Sequence, residues 1–347
     1  MDSIAPCATA VHNDELAAGA SRGLRCGGMT DDARYHRHMT AGPLTASARD
    51  VALRLAHSPD PDDAFMWWPL FALNGERPRI DTGRFTFEQM TCDIESLNQR
   101  AIAAAASATA GSDALEITAL SCATYPRVRN LYALTACGAS MGDAYGPKIV
   151  ARSNLTLDDL RRPEVVIAIP GEGTTAFAAM SMLLGPGRFR FKSISFKDII
   201  ERVANGEFAA GLIIHEGQLT FESSGLRQLV DLGEWWKRTH DLPLPLGVNA
   251  IRRDLDSLHG KGTLKHVANL LRQSVDHALA HRKQSVAYAL RFARDMTSDL
   301  ADEFIRLYVN KWTLEFGETG RKAVRVFLSE THRAGLTPDA GAIDFVG

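Results

Sequence analysis

The sequence predicts a two-lobed α/β protein with an interlobe cleft and a helical C-terminal third. Three observations carry this reading. Residues 165–214 alternate short apolar strand-like runs with helical ones, the pattern of a largely parallel sheet covered by helices. The stretches 51–136 and 247–253 supply further strands on either side of that block. After Asp254 the apolar residues recur at helical spacing through Leu336. Residues 148–247 are therefore read as the second lobe. Residues 51–147 and 248–347 together form the first. The chain crosses between the lobes near 145–150 and again near 245–249.

The elements follow in order. Residues 1–50 are rich in Ala, Gly, Ser and Thr and contain no Lys. Such a segment buries too little apolar surface to offset its ordering entropy, so it reads as a mobile extension. Its His36-Xaa-His38 pair lacks the rigid frame that a metal site needs. Folded sequence begins with a strand at 51–56, then a turn from His57 to Asp63, where Ser58 and the aspartates are good helix caps. The apolar run 64–71 is a buried helix. A strand follows at 84–90, a helix capped by Asp93, and strands at 115–121, 131–136 and 148–152. The second lobe reads as strand 165–169, helix 175–184, strand 191–195, helix 196–204 and strand 209–214. Ligands of such architectures bind between lobes, at strand C-terminal ends and helix N-termini.

Composition narrows the function. A length of 347 residues fits about two domains. With 39 Lys+Arg against 41 Asp+Glu, the chain lacks the basic excess of a nucleic-acid binder. No apolar run approaches the ~18 residues of a membrane helix. The five cysteines form no Cys-Xaa-Xaa-Cys pair, so neither a disulfide framework nor a structural zinc site is expected. The N-terminus has no basic region followed by an apolar core, so a cytoplasmic setting is expected. Oligomeric state is left open.

Two motif lookalikes need separate treatment. Gly138-Ala-Ser140-Met-Gly142 matches a hydrolase nucleophile elbow, but Tyr145-Gly-Pro147 breaks the helix that must follow. Ser140 is read as a loop residue near a hinge. Gly171-Glu-Gly173-Thr-Thr-Ala176 matches a dinucleotide fingerprint, but no acidic residue ends the next strand at the required place. The physics of the turn remains: Thr174, Thr175, Ala176 and the free N–H groups make an anion pocket suited to a small carboxylate. His215 ends the apolar strand 209–214 and is read as pointing into the cleft, where an imidazole titrating near neutrality suits general-base work. Trp235 and Trp236 are read as packing residues.

Taken in order, five segments resemble one family. They are His57-Ser-Pro-Asp-Pro-Asp-Asp-Ala-Phe-Met66, Gly138-Ala-Ser-Met-Gly-Asp-Ala-Tyr-Gly-Pro147, Gly211-Leu-Ile-Ile-His-Glu216, Val230-Asp-Leu-Gly-Glu-Trp-Trp236 and Leu242-Pro-Leu-Pro-Leu-Gly247. The family is 1,4-dihydroxy-6-naphthoate synthase, of the futalosine route of menaquinone biosynthesis, and the resemblance spans residues 52–337. It implies a type 2 periplasmic-binding-protein-like fold. It implies a lyase that converts cyclic dehypoxanthine futalosine to 1,4-dihydroxy-6-naphthoate and dihydroxyacetone without metal or cofactor. By the same resemblance His215 is the catalytic base. Ser121, Thr174, Thr175 and Ala176 contact the substrate, joined by Ser58 and Asp63 from the first motif. Some members carry Cys-Pro-Asn-Asp where this chain has Asp60-Pro-Asp62-Asp63, Lys in place of Ala119, and an aromatic in place of Cys122. Two alternatives stand beside this reading: a non-catalytic solute-binding protein for small carboxylates, and the sibling chorismate dehydratase.

Overall fold

The computed structural model describes residues 8–9, 50–107, 114–152, 154–292 and 297–347. The expected mobile extension, with its His36-Xaa-His38 pair, lies outside the described residues apart from Ala8–Thr9 and Asp50. The strands up to the first crossover are β1 Ala8–Thr9, β2 Val51–His57, β3 Phe85–Thr91, β4 Ile117–Ser121, β5 Tyr132–Thr135 and β6 Ser140–Gly142. The next five are β7 Lys148–Ala151, β8 Val166–Ile169, β9 Arg190–Ser193, β10 Ala210–Ile213 and β11 Arg227–Asp231. The last two are β12 Leu244–Arg252 and β13 Phe345–Val346.

They form two sheets. The first has the order β1-β3-β2-β4-β12-β5-β13, with β6 added along β12. The second has the order β11-β7-β10-β8-β9 and takes all its strands from between Lys148 and Asp231. The return strand β12 already pairs with β6 at Leu244, ahead of the crossover region read from the sequence.

The second sheet is mixed rather than largely parallel. β8 runs parallel to both β10 and β9, whereas β7 runs antiparallel to β10 and β11. The parallel strands are those joined by helical crossovers, through Thr175–Leu184 and Ile199–Ala204, as that connection requires. β7 carries the chain in from the first sheet without such a crossover. β6, β11 and β13 are two to five residues long and lack the apolar run or alternation that marks a strand in sequence.

Two helices matter most for the site. Pro61–Trp67 is buried along its whole length, wedged against Thr263–Ala280, Arg282–Ala289 and Ser298–Tyr308. Phe65, Met66 and Trp67 are there fully removed from water. A buried side chain of this size contributes about 1.5–3 kcal/mol, so the short helix is held by tertiary packing rather than by propensity. Thr175–Leu184 is opened by the Thr174 hydroxyl, which accepts from Phe177 N–H, and is ended by Gly185. Trp236 is fully buried and meets Phe327 of the helix Gly317–Arg333 edge-on, so its packing role is the observed one. Among the described residues, no helix is long and apolar enough to cross a membrane.

Candidate functional site

A cavity of about 670 Å³, open to solvent, lies between the two sheets. Ser58, Asp63, Ser121, Thr174, Thr175 and Ala176 all line it, so the structure brings six of the seven expected site residues together. Among the described residues, no lysine or arginine lines it.

The first wall is acidic. β2 ends at His57, and the chain turns through Ser58 and Asp60 into the helix Pro61–Trp67. Asp60 occupies the N-cap position, yet its side chain makes no cap bond. The expected capping role is replaced by a tighter arrangement. Ser58 N–H donates to Asp63 Oδ2 at 2.9 Å, and Asp60 N–H donates to Ser58 Oγ at 3.2 Å. Asp62 Oδ2 accepts from the Ser140 hydroxyl at 2.8 Å. Desolvation, and then the adjacent Asp63, push the Asp62 carboxyl up to about 7; desolvation pushes Asp63 to about 6. Ser140 thus sits in β6 rather than in a loop, and it serves Asp62 instead of acting as a nucleophile. Gly138, which opens that motif, has φ +79° and leaves room for Trp67 and Asn249 where a Cβ would fall within 2.8 Å of both.

Behind this wall lies His57, fully buried, with its pKa lowered by desolvation to about 4. Its Nδ1–H donates to Ser58 O at 2.6 Å, and its Nε2 accepts from the Gln89 amide at 2.8 Å. The Tyr288 hydroxyl donates to Gln89 Oε1 at 2.9 Å, closing the chain of bonds. The imidazole is therefore a neutral structural group.

The second wall is the loop Gly171–Thr174 and the first turn of Thr175–Leu184. The threonine hydroxyls expected to meet an anion are already engaged. Thr174 Oγ1 donates to Gly171 O at 2.8 Å, and Thr175 Oγ1 donates to Leu246 O at 2.8 Å while accepting from Ala123 N–H. Gly173 N–H donates to Glu95 Oε1 at 3.2 Å. A Cβ on Gly173 would fall 2.7 Å from that carboxylate, so the glycine makes room for a glutamate of the first lobe. The anion pocket is thus narrower than expected. Phe177 N–H is taken by the Thr174 hydroxyl, so the Thr175 and Ala176 amides, which have no acceptor within the helix, are what it offers a ligand.

Ser121 ends β4 between these walls. Its N–H donates to Asn98 Oδ1 at 2.9 Å, and its hydroxyl accepts from Asn98 Nδ2 at 3.0 Å. Ala119 and Asn249 are paired across β4 and β12, and both line the cavity. Asn249 Nδ2 donates to Gly138 O at 2.6 Å, while its Oδ1 has no partner. Tyr308 lines the far side, and its hydroxyl donates to Gln218 Oε1 at 2.9 Å.

His215 differs from its expected placement. It stands just past the end of β10, but Ile214 rather than His215 lines the cavity. The residue is 7% exposed. Its Nδ1 accepts from Gly217 N–H at 3.0 Å, which leaves the proton on Nε2 to donate to Phe196 O at 3.1 Å. Glu216 Oε2 lies 3.8 Å from Nδ1. The backbone after β10 folds at once into the short turn Glu216–Leu219, and this turn draws the ring toward its own amide. Asn98, Glu95, Asn249 and Tyr308 escape a reading of sequence. Glu95 in a first helical turn looks like an ordinary dipole partner, and nothing local marks the other three.

Comparison with known proteins adds to this geometry. The family model described as menaquinone biosynthesis matches residues 53–333. A 1,4-dihydroxy-6-naphthoate synthase from Thermus thermophilus is 36% identical over 286 residues, covering 82% of this chain and 96% of the relative. One from Streptomyces coelicolor is 33% identical, covering 83% and 96%. Among solved structures, a protein from Archaeoglobus fulgidus is similar with TM-score 0.70 at 34% identity, covering 82% of this chain and 98% of that one. The alkanesulfonate-binding protein of Xanthomonas axonopodis pv. citri, bound to MOPS, gives 0.57 at 12% identity, covering 85% and 96%. The fold is the periplasmic-binding-protein-like one.

Proposed function

The chain belongs to the menaquinone-biosynthesis family, and from that premise we propose that it is a carbon–carbon lyase converting cyclic dehypoxanthine futalosine to 1,4-dihydroxy-6-naphthoate and dihydroxyacetone, with His215 as general base. The observation that carries this reading is the match to the Thermus thermophilus synthase at 36% identity over 96% of that protein's length.

His215 removes a proton made acidic by the substrate's ring ketone. Collapse of the enolate expels the sugar-derived carbons, and aromatisation supplies the driving force. For this the ring exchanges Gly217 N–H for the substrate's proton at Nδ1, turning past Ile214 toward the cavity. The substrate carboxylate sits at the first turn of Thr175–Leu184, where backbone amides and the helix dipole favour an anion. Ser121 contacts the ring portion, and Ser58 and Asp63 face the opposite end. The reaction calls for no cofactor, and a cytoplasmic setting is part of the reading.

The test is a mass-spectrometric product assay with the purified protein and cyclic dehypoxanthine futalosine, without added cofactor. The expected result is 1,4-dihydroxy-6-naphthoate from the wild type and about 10²–10⁴-fold less from a folded His215→Asn variant. Saturable binding of the substrate without product would move the chain to the solute-binding reading. Undiminished turnover in His215→Asn would remove the base assignment alone.

A further inference from the structure

The mechanism above leaves the acidic wall without a chemical task. Asp62 and Asp63 are 6% and 8% exposed, side by side on the cavity surface, with no cation lining it among the described residues. Asn249, 1% exposed, lines the same cavity, and its carboxamide oxygen has no partner. A buried acceptor of this kind is costly until a donor meets it, and a ligand hydroxyl is such a donor.

We propose that Asp62 and Asp63 form a one-proton specificity element: an anionic ligand that also bears hydroxyl groups enters together with one proton, held by the pair, and its hydroxyls donate to the pair and to Asn249 Oδ1. This rests on the carboxylate reading of the substrate given above. Two ionised carboxylates and a third on the ligand would share one cavity without a counter-ion among the described lining residues once the ligand displaces its water, and such an arrangement takes up a proton instead. Burial already moves both groups in that direction in the free protein. An Asn at position 62 would offer similar hydrogen bonds but could not take up the proton.

Among the described residues, the groups around the pair do not supply the missing charge. Asp60 stands in the same turn and is itself acidic. His57, at the end of β2, is kept neutral by burial. Tyr308, from Ser298–Tyr308, is fully desolvated, which holds its phenol in the protonated form. On the helices packed behind, Arg282 lies over the Phe65 ring and is paired with Asp302 at 2.8 Å, and His277 lies edge-on to Trp68.

The experiment is calorimetric titration of the whole protein with 1,4-dihydroxy-6-naphthoate under anaerobic conditions. In the wild type Kd should rise about tenfold from about pH 6 to about pH 8, one proton being taken up per ligand at the upper end. In Asp62→Asn the change should be under about twofold. Ser140→Ala removes the hydrogen bond that favours the ionised carboxylate, so the rise should move to higher pH. This second variant keeps the test open if the first does not fold. A flat wild-type Kd, or a full rise retained in Asp62→Asn, overturns the proposal. Absence of binding at every pH would remove the carboxylate reading itself, and the proposal with it.

Discussion

Two helix N-termini face the same cavity and are finished in opposite ways. Pro61–Trp67 carries Asp62 and Asp63 in its first turn, whereas Thr175–Leu184 carries no acid there. Carboxylates at a helix start complement the positive end of the dipole. Thr175–Leu184 has no acid in its own first turn; Glu95 reaches its loop from the first lobe, beside Thr124, whose hydroxyl donates to Gly173 O. An anionic ligand with hydroxyl groups therefore has one orientation that both walls accept, carboxylate toward Thr175 and hydroxyls toward Asp62. The polarity comes from which first turn holds the aspartates, not from any lysine or arginine among the lining residues.

The same comparison makes the acidic wall the less stable side, and pH separates its parts. The largest expected effect belongs to His57. Its folded pKa of about 4 lies below the usual value of 6.5, so the stability of the neutral form is complete above about pH 6.5 and is lost as pH falls through about 4. The loss amounts to about 3 kcal/mol by about pH 4. Denaturant unfolding of wild type and His57→Gln at stepped pH values measures it: the gap between the two should close, or reverse, by that amount on acidification. A gap independent of pH would mean that the folded protein admits the imidazolium.

Asp62 acts in the other direction. Its folded pKa is raised to about 7 from 3.8. Its contribution is complete below about pH 4 and is lost as pH rises through about 7. Part of that shift belongs to the pair with Asp63, so Asp62→Asn escapes only part of the loss and should be about 1–3 kcal/mol more stable than wild type at neutral pH, with no advantage near pH 3. A buried carboxyl that costs stability is an ordinary sign of a functional constraint. If the variant were less stable at neutral pH, the wall would be built around an ionised Asp62, and the contrast between the two helix starts would be weaker than drawn.

Much of this contrast was legible in the sequence, and the part that was not has a physical reason. The helix Thr175–Leu184 was readable because Thr174, an apolar run and Gly185 agree locally on its start and stop. The two glycine motifs were visible too, but their purpose was not. Gly173 exists for Glu95 and Gly138 for Trp67 and Asn249, partners from roughly 70 to 110 residues away in the chain or its other lobe. His215 was readable as the end of a buried strand. The direction of its ring depends on the Gly217 amide and the Phe196 carbonyl, and no periodicity encodes that. Asn249 is a single polar residue in an apolar strand and Asn98 one of several polar residues in its helix, and sequence distinguishes neither from an ordinary satisfied position.

Glu95 gives the smallest effect and the sharpest check on where the anion sits. It is a first-lobe residue whose carboxylate accepts from Gly173 N–H just ahead of the helix Thr175–Leu184. Its negative charge competes with any ligand anion for the same dipole. Replacing it by alanine frees that amide and removes the charge, while Asn98 keeps its two bonds to Ser121. Removal of one charge at a helix terminus is worth about 0.3–1 kcal/mol, so Glu95→Ala should bind 1,4-dihydroxy-6-naphthoate about two- to fivefold more tightly at low salt. The gain should fade as ionic strength rises, because Glu95 is only half-buried and salt screens a charge that solvent reaches. It should also leave the pH dependence of binding as in the wild type, since the proton is held at the other wall. Equal or weaker binding by Glu95→Ala would place the carboxylate away from this helix. The orientation drawn from the two helix starts would then have to be reversed or abandoned, even with the one-proton behaviour of Asp62 and Asp63 intact.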